Sequence, residues 1–260
     1  MSSVHLSMDV LENYASAVNE VGSVASSNLE QTLRNIDLRD EDMVLDLMHG
    51  ACRAGAQASA GLAAQFYRGL SILQTGVDPD VKPLSSYDEK AVTVAVRAIY
   101  AKARKGDGEL DEEYVMSGLL NRVGFDVNRA SKVGVWRNGQ RDSRDVRYAR
   151  VPVGAETCAW CVMTAGLGYW FMSEEAASHT HAHCDCVIVA EIGGIHDVVI
   201  DGYDSTVYRD MWREANKALR YGDVPSSLSE RVDFLAATTP GYRKDTNGAL
   251  AVMRWKYGLK

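Results

Sequence analysis

The sequence contains little proline, no long apolar run and no excess of positive charge. Only 5 of its 260 residues are proline, which argues against long structureless linkers. No window approaches the roughly 18 consecutive apolar residues that suggest a membrane helix. The net charge of −7 argues against a protein whose main partner is duplex DNA. The first 18 residues lack the basic flank and long apolar segment of a secretory signal. We therefore expect a globular protein, without a membrane partner, made in a reducing cytoplasm.

Several motifs of enzymes and nucleotide-binding proteins are also absent. The sequence has neither the phosphate-binding pattern G-x-x-x-x-G-K-[ST] nor the nucleophile turn G-x-S-x-G. The glycines at 166 and 168 are too few for a phosphate loop. The zinc-deaminase order, with H-x-E before C-x-x-C, does not occur either. These motifs therefore indicate no nucleotide-binding or hydrolase site, and we expect no small-molecule substrate.

Apolar residues spaced three and four apart dominate the first half of the chain. Between residues 8 and 36 they form one continuous stripe, which predicts an amphipathic helix. Asp40 is the predicted N-cap of a second helix, whose many glycines and alanines would allow close helix packing. Ser86 and Glu89 fit a capping box ahead of a third helix, and residues 112–139 predict one or two more. Residues 1–135 are therefore predicted to form a helical domain.

The pattern changes in residues 136–260. Segments rich in β-branched residues predict strands within 141–154, 183–192 and 196–204. An amphipathic helix is predicted after them, and two short helices should flank the turn at Pro240. The predicted fold class is therefore α+β and mainly α. A helical N-terminal bundle precedes a small β-containing unit around a cysteine and histidine cluster, and helices complete the chain.

Four of the five cysteines lie in the short segment 151–192. Cys158 and Cys161 form a C-x-x-C pair, in which a tight turn can direct both sulfurs at one point. Cys184 and Cys186 are two residues apart on a predicted strand, so their side chains should face the same side. Zinc prefers thiolate and imidazole ligands in a tetrahedral shell. The spacing therefore predicts a structural zinc site.

Nearby histidines leave the ligand set open. His181 or His183 could replace one of the thiolates if the local chain turns. Tyr169, Trp170 and Phe171, in the intervening loop, could pack over the metal unit. The candidate metal ligands are Cys158, Cys161, His181, Cys184 and Cys186, with His183 as a further possibility.

Other interpretations of the cluster remain open. The cysteines could be reduced structural residues, or a disulfide such as Cys158–Cys186 could form in an extracellular particle. A redox C-x-x-C is disfavoured because no βαβ pattern surrounds it. A metal-dependent nuclease or other hydrolase could use the histidines with Glu174, Glu175 or Asp185 as acid or base. However, a catalytic zinc usually keeps an open position and has few thiolate ligands.

The segment RVPVGAETCAWCVMTAGLGYWF, followed by HAHCDCVIV, resembles the phage Mu F-like minor head proteins, especially those of tailed phages of actinobacteria. The hallmark of that family is C-x-x-C, a turn with glycine and aromatic residues, and H-x-x-C-x-C running into a strand. The specific likeness covers Arg147 to Glu191. The hallmark positions in this sequence are Cys158, Cys161, His181, Cys184 and Cys186.

The resemblance implies a virion protein inside the phage head, present in few copies and made in the host cytoplasm. Such proteins act with the portal protein and with the major capsid or scaffolding protein during procapsid assembly, and sometimes in DNA packaging or ejection. The family is not generally enzymatic. Packaged DNA could contact the basic C-terminal segment, residues 243–260. Its positive residues are Arg243, Lys244, Arg254, Lys256 and Lys260.

Overall fold

The computed structural model describes residues 3–104, 106, 108–154, 157–170, 173–174, 179–180, 184–194 and 198–260. Its elements, in chain order, are β1 (Val4–Leu6), α1 (Met8–Leu33), α2 (Glu41–Thr75), α3 (Glu89–Ala103), α4 (Glu112–Arg141), β2 (Val146–Pro152), α5 (Ala159–Ala165), β3 (Cys186–Ile192), β4 (Val198–Ile200), α6 (Ser205–Tyr221), α7 (Ser226–Thr238) and α8 (Ala249–Tyr257). A π-helical turn, Lys244–Gly248, precedes α8. The predicted fold class is confirmed. Within the described ranges, no helix combines the length and apolarity needed to cross a membrane.

Side-chain caps determine where the first helices begin. Asp40 caps α2 as predicted, because its carboxylate accepts a hydrogen bond from the backbone N–H of Met43 at 3.1 Å. The predicted capping box at Ser86 is wrong. Helix α3 begins at Glu89, and Asp88 caps it by accepting from the N–H of Ala91 at 3.0 Å. Ser86 therefore lies too early to reach the first helical N–H groups. Residues 112–139, for which one or two helices were possible, belong to the single helix α4.

The long helices α2 and α4 pack against each other through small residues. A Cβ added to Gly134 of α4 would lie only 2.6 Å from the Cβ of Ala63 in α2. At another point of the same contact, the buried hydroxyl of Ser59 donates to the backbone oxygen of Val127 at 2.8 Å. The close helix approach predicted from the glycine and alanine content is therefore confirmed. A hydrophobic cluster shared by the first four helices includes Val18, Leu33, Val44, Met48, Val92, Tyr100, Leu119 and Val123.

The strands form two separate two-stranded sheets in the described chain. Strands β2 and β3 are antiparallel, with Arg150 opposite Ile188 and Pro152 opposite Cys186. Strand β1 pairs in parallel with β4, so a segment near residue 5 meets one near residue 199. Residues of β2 and β3 share a hydrophobic cluster with parts of α1, α2 and α4. This packing buries every residue of β3 and fixes the position of the chain at Cys186.

The proposed division into residues 1–135 and 136–260 stays a prediction. Helix α4 continues across residue 135 to Arg141. The residues that follow the proposed boundary, such as Trp136 and Tyr148, pack in one cluster with Tyr67 of α2 and Leu11 of α1. The sheet formed by β2 and β3 is therefore in direct contact with the helical part of the chain.

The C-terminal helices surround α5. A small hydrophobic cluster contains Ala159 and Val162 of α5, Ala215 of α6 and Met253 of α8. The backbone N–H of Ala159 also donates to the carbonyl oxygen of Lys260 at 2.9 Å. Helix α5 therefore has the cysteine cluster near its start and the C-terminal helices along its side.

A partly buried ion pair between Asp142 and Arg144 predicts acid sensitivity. The Arg144 guanidinium, together with the Tyr67 hydroxyl 2.9 Å away, lowers the pKa of Asp142 to about 2. The carboxylate's contribution is therefore fully present above its unfolded pKa, near 4, and is lost as the pH falls through 2. We expect Asp142→Asn to cost about 1–2 kcal/mol at pH 6. That difference from the wild-type chain should shrink towards pH 2, as measured by urea unfolding. A difference that does not change with pH would contradict this.

Candidate metal centre

Three cysteine thiols converge in the interior between α5 and β3. Cys161 belongs to the first turn of α5, Cys186 begins β3, and Cys184 precedes it by two residues. The Sγ–Sγ distances are 3.7 Å for Cys161 and Cys184, 3.5 Å for Cys161 and Cys186, and 3.0 Å for Cys184 and Cys186. All three residues are buried. They could hold a metal ion, since each sulfur lies within 4.8 Å of the other two.

These distances fit a tetrahedral thiolate site. With Zn–S bonds of about 2.3 Å, two sulfurs of a tetrahedral zinc site lie about 3.8 Å apart. The two distances from Cys161 are close to that value, and the third is shorter. Every distance exceeds the roughly 2.0 Å of a disulfide bond, and none of the five cysteines, all of which the structure describes, forms a disulfide. The donor set suits a soft divalent metal, because thiolate is a soft ligand.

Cys158 lies beside these three thiols, at the N-cap of α5. In this position its sulfur accepts a hydrogen bond from the backbone N–H of Cys161 at 3.3 Å. The C-x-x-C spacing therefore has a local structural reason: one cysteine caps the helix, and the other occupies the third helical position. Cys158 is nearly buried and belongs to the same hydrophobic cluster. It lies outside the set of thiols that are mutually within 4.8 Å.

Two buried cationic side chains adjoin the thiols. The Arg150 side chain is fully buried, and its Nη1 donates to Cys186 Sγ at 3.1 Å and approaches Cys161 Sγ at 4.0 Å. Lys132 of α4 is 1% exposed, and its Nζ donates to the hydroxyl of Thr180 at 3.3 Å. It lines a small cavity together with Cys184 and Cys186. Thiolates are favoured here because positive charge stabilises them.

The electrostatics distinguish the three thiols. Hydrogen bonds with the Cys161 and Cys186 thiols, assisted by the positive charges of Lys132 and Arg150, lower the pKa of Cys184 well below its usual range. Burial raises the pKa of Cys186 to about 11. Hydrogen bonds with the thiols of Cys158, Cys184 and Cys186, and then burial, raise the pKa of Cys161. Burial and then the neighbouring Cys184 raise the pKa of the Asp185 carboxyl.

An indole ring covers the cluster on one side. Trp160, between the two cysteines of the C-x-x-C pair, packs against the thiols. The Arg150 guanidinium lies 4.7 Å from the centre of the Trp160 ring. The centres of the Trp160 and His179 rings are 4.1 Å apart, and the two ring planes are tilted by 32°. Of the other aromatic residues that could pack over the metal unit, neither Trp170 nor Tyr169 joins the cluster of the thiols. Trp170 is 70% exposed. Tyr169 packs against the hydrophobic cluster that includes β2 and β3. Phe171 lies outside the described residues.

A family model described as VG15 protein matches residues 6–215, more than half of the chain. The chain therefore belongs to the VG15 protein family. This family is phage-related, which is consistent with the phage origin implied by the Mu F-like resemblance and does not specify a minor head protein. The match includes all four clustered cysteines and ends within α6. No curated protein and no solved structure matches the chain.

In this VG15-family chain, the structure brings together part of the predicted ligand set. Cys161, Cys184 and Cys186 converge, and Cys158 adjoins them. His181 and His183 lie outside the described residues, so their role as ligands stays a prediction. Of the residues considered for acid or base catalysis, Glu174 forms an ion pair with Arg137 at 3.0 Å. Asp185 accepts a hydrogen bond from Thr157 at 3.3 Å, and Glu175 lies outside the described residues.

Sequence reasoning missed Arg150, Lys132 and Trp160. Arg150 stands among apolar residues in the segment YARVPV, and an arginine in a strand buried on both faces requires an anionic partner. The signal present in the sequence was the arginine among apolar residues, whereas its burial is seen in the structure. Lys132 could not have been found in this way, because only the packing of α4 against the cysteine loop brings it near the thiols.

Proposed function

We propose that this VG15-family protein is a minor capsid, or head morphogenesis, protein of a tailed phage, present in few copies inside the head. We further propose that its thiol cluster is a structural zinc site and that the protein is not an enzyme. The observation that carries the proposal is the buried C-x-x-C and C-x-C cluster in a chain of a phage-related family. A similar cluster is the hallmark of the Mu F-like minor head proteins.

Burial of the thiols supports a structural rather than a catalytic metal. Cys161 is 0% exposed, and Cys184 and Cys186 are each 4% exposed. A catalytic zinc needs an open coordination position that substrate or water can reach, whereas a closed thiolate shell leaves none. When bound, zinc would supply a cross-link between α5 and the start of β3. It would thereby hold the C-terminal helices, which pack on α5, against the sheet and the first four helices.

The proposed partners are the portal protein and the major capsid or scaffolding protein. The C-terminal helices expose large apolar side chains, including Tyr221, Phe234 and Trp255, which are 72%, 65% and 50% exposed. Exposed aromatic residues of this kind are enriched in protein interfaces. We also propose that the basic segment, residues 243–260, contacts packaged DNA. Ion pairs with nearby carboxylates partly offset its charge, and they join Lys244 to Asp233, Lys256 to Glu214 and Arg243 to Asp245.

We expect the protein to co-purify with the portal protein of the phage that encodes it when the two are expressed together. Quantitative mass spectrometry of purified virions should find it in far fewer copies than the major capsid protein. The major tail protein of the same phage, expressed with it in the same way, serves as the control and should not be retained. Virions without the protein, or equal retention by the portal and tail proteins, would contradict the proposed role.

A further inference from the structure

The positive charge next to the thiols is fixed in the interior. Arg150 is fully buried and Lys132 is 1% exposed, so water cannot solvate either charge to any useful extent. Arginine cannot lose its proton in a protein. Arg150 directs Nη1 at the sulfur of Cys186, 3.1 Å away, and its guanidinium lies over the Trp160 ring. Buried charges are tolerated when opposite charge or hydrogen-bond acceptors compensate them. Besides the sulfurs, Arg150 Nη2 donates to the backbone oxygen of His179, and Lys132 Nζ donates to the backbone oxygen of Asn128 and to the hydroxyl of Thr180. Those acceptors are neutral, so the negative charge near the two cations comes from thiolate sulfur.

Charge balance distinguishes the possible metal sites. A zinc ion with four thiolates carries two negative charges, which the two cations would balance. A zinc ion with three thiolates and one neutral imidazole carries a single negative charge, so one buried positive charge would remain in excess. Asp185, also next to Cys184, is only partly buried, and its carboxylate accepts a hydrogen bond from the Thr157 hydroxyl at 3.3 Å. The charge balance is therefore drawn between the groups that are fully enclosed, which are the thiols, Arg150 and Lys132.

The position of Cys158 is compatible with a fourth thiolate. Its sulfur already accepts the backbone N–H of Cys161 at 3.3 Å, and such a donor stabilises an anionic sulfur. Its side chain is 9% exposed and lies in the same cluster as the other three cysteines.

We propose that Arg150 and Lys132 are positioning residues that neutralise a tetrathiolate metal centre, and that neither His181 nor His183 binds the metal. This inference rests on the zinc site proposed above and is independent of the proposed location in the virion. The four thiolates are those of Cys158, Cys161, Cys184 and Cys186.

Zinc affinity tests the charge balance directly. In the full-length chain, competition with a chelator should show that Arg150→Met and Lys132→Met each weaken zinc binding by about 10- to 100-fold. Arg150→Lys retains the charge and should lose less affinity than Arg150→Met. In each methionine variant, the unfolding temperature should fall more with zinc than without it. A role in packing alone predicts equal falls and would overturn the proposal.

Arg122 provides a matched control. Its side chain is 14% exposed and is paired with the Asp126 carboxylate at 2.9 Å, in the same helix as Lys132. Arg122→Met should lower the unfolding temperature equally with and without zinc, and zinc affinity should not change. A loss of zinc affinity equal to that of Lys132→Met would show a general stability effect and overturn the proposal.

Cobalt substitution tests the ligand set, since Co²⁺ can replace Zn²⁺ and its charge-transfer absorption rises with the number of bound thiolates. Cys158→Ser should reduce this absorption, whereas His181→Ala and His183→Ala should leave the spectrum unchanged. Cys158→His should cost less zinc affinity in the Lys132→Met variant than in the wild-type chain, because the charges then balance again. If either alanine variant changed the spectrum, the proposed set of four thiolate ligands would be wrong, whereas the proposed metal site would still be supported. If the wild-type chain bound neither zinc nor cobalt, both the proposed metal site and the proposed tetrathiolate ligand set would be wrong.

Discussion

Replacing Cys158 and Cys161 together by serine is expected to abolish zinc binding and to unfold α5 and the helices α6 to α8, which lie around it. Serine hydroxyls are poor zinc ligands at neutral pH, and Cys184 and Cys186 alone cannot close a tetrahedral shell. Structural zinc contributes an apparent free energy on the order of 10 kcal/mol in small zinc domains. That amount is comparable to the whole stability of an ordinary domain, about 5–15 kcal/mol. Helices α1 to α4 should remain folded, because their shared hydrophobic cluster does not include the clustered cysteines.

Three measurements on the double variant check this expectation. Elemental analysis should give about one zinc per wild-type chain and none per variant chain, and circular dichroism should retain most of the helix signal. Hydrogen exchange should locate the lost protection in α5 and in α6 to α8. Cys52→Ser is the matched control, because Cys52 is also fully buried but lies in α2, where its thiol hydrogen-bonds to Asp126. It should keep one zinc per chain. A double-serine variant with unchanged exchange protection would contradict a structural role for the site.

Gly134→Val is expected to destabilise the packing of α2 against α4 by about 3 kcal/mol or more. Any Cβ at this position would lie 2.6 Å from the Cβ of Ala63 and 3.6 Å from the backbone of Ala60. These atoms belong to or adjoin the backbone of α2, so the contact can be relieved only by moving one helix away from the other. The better helix propensity of valine over glycine offsets only a few tenths of a kcal/mol.

Gly69→Val is the matched control for this substitution. Gly69 is exposed on α2, and a Cβ added there would meet no atom within 4 Å. The control should therefore be as stable as the wild-type chain or slightly more stable. Urea unfolding, monitored by circular dichroism, measures both variants. Equal midpoints for the two variants would show that the close contact of α2 with α4 does not contribute to stability.

Much of the fold was predictable because helix formation depends on residues that are close together in the sequence. The apolar stripe in residues 8–36 and the cap at Asp40 depend on residues within a few positions of one another, and both correspond to the observed α1 and α2. The error at Ser86 shows the limit of such local rules. Ser86 and Asp88 are both suitable caps by residue type, and only the observed start of α3 at Glu89 distinguishes them. Strand β1 pairs with β4, almost two hundred residues away in the sequence, and no local pattern predicted this pairing.

The candidate site divides in the same way. The sequence by itself determined that four cysteines lie close together along the chain, at spacings that suit one metal ion. Only the tertiary structure decided which of them converge, because the pairing of β2 with β3 and the packing of α5 set the distances between the sulfurs. The same packing brought Arg150 and Lys132 to the thiols from different elements. Ligand spacing is a local property of the chain. The charge around a buried site depends on residues far apart in sequence, so it follows only from the folded arrangement.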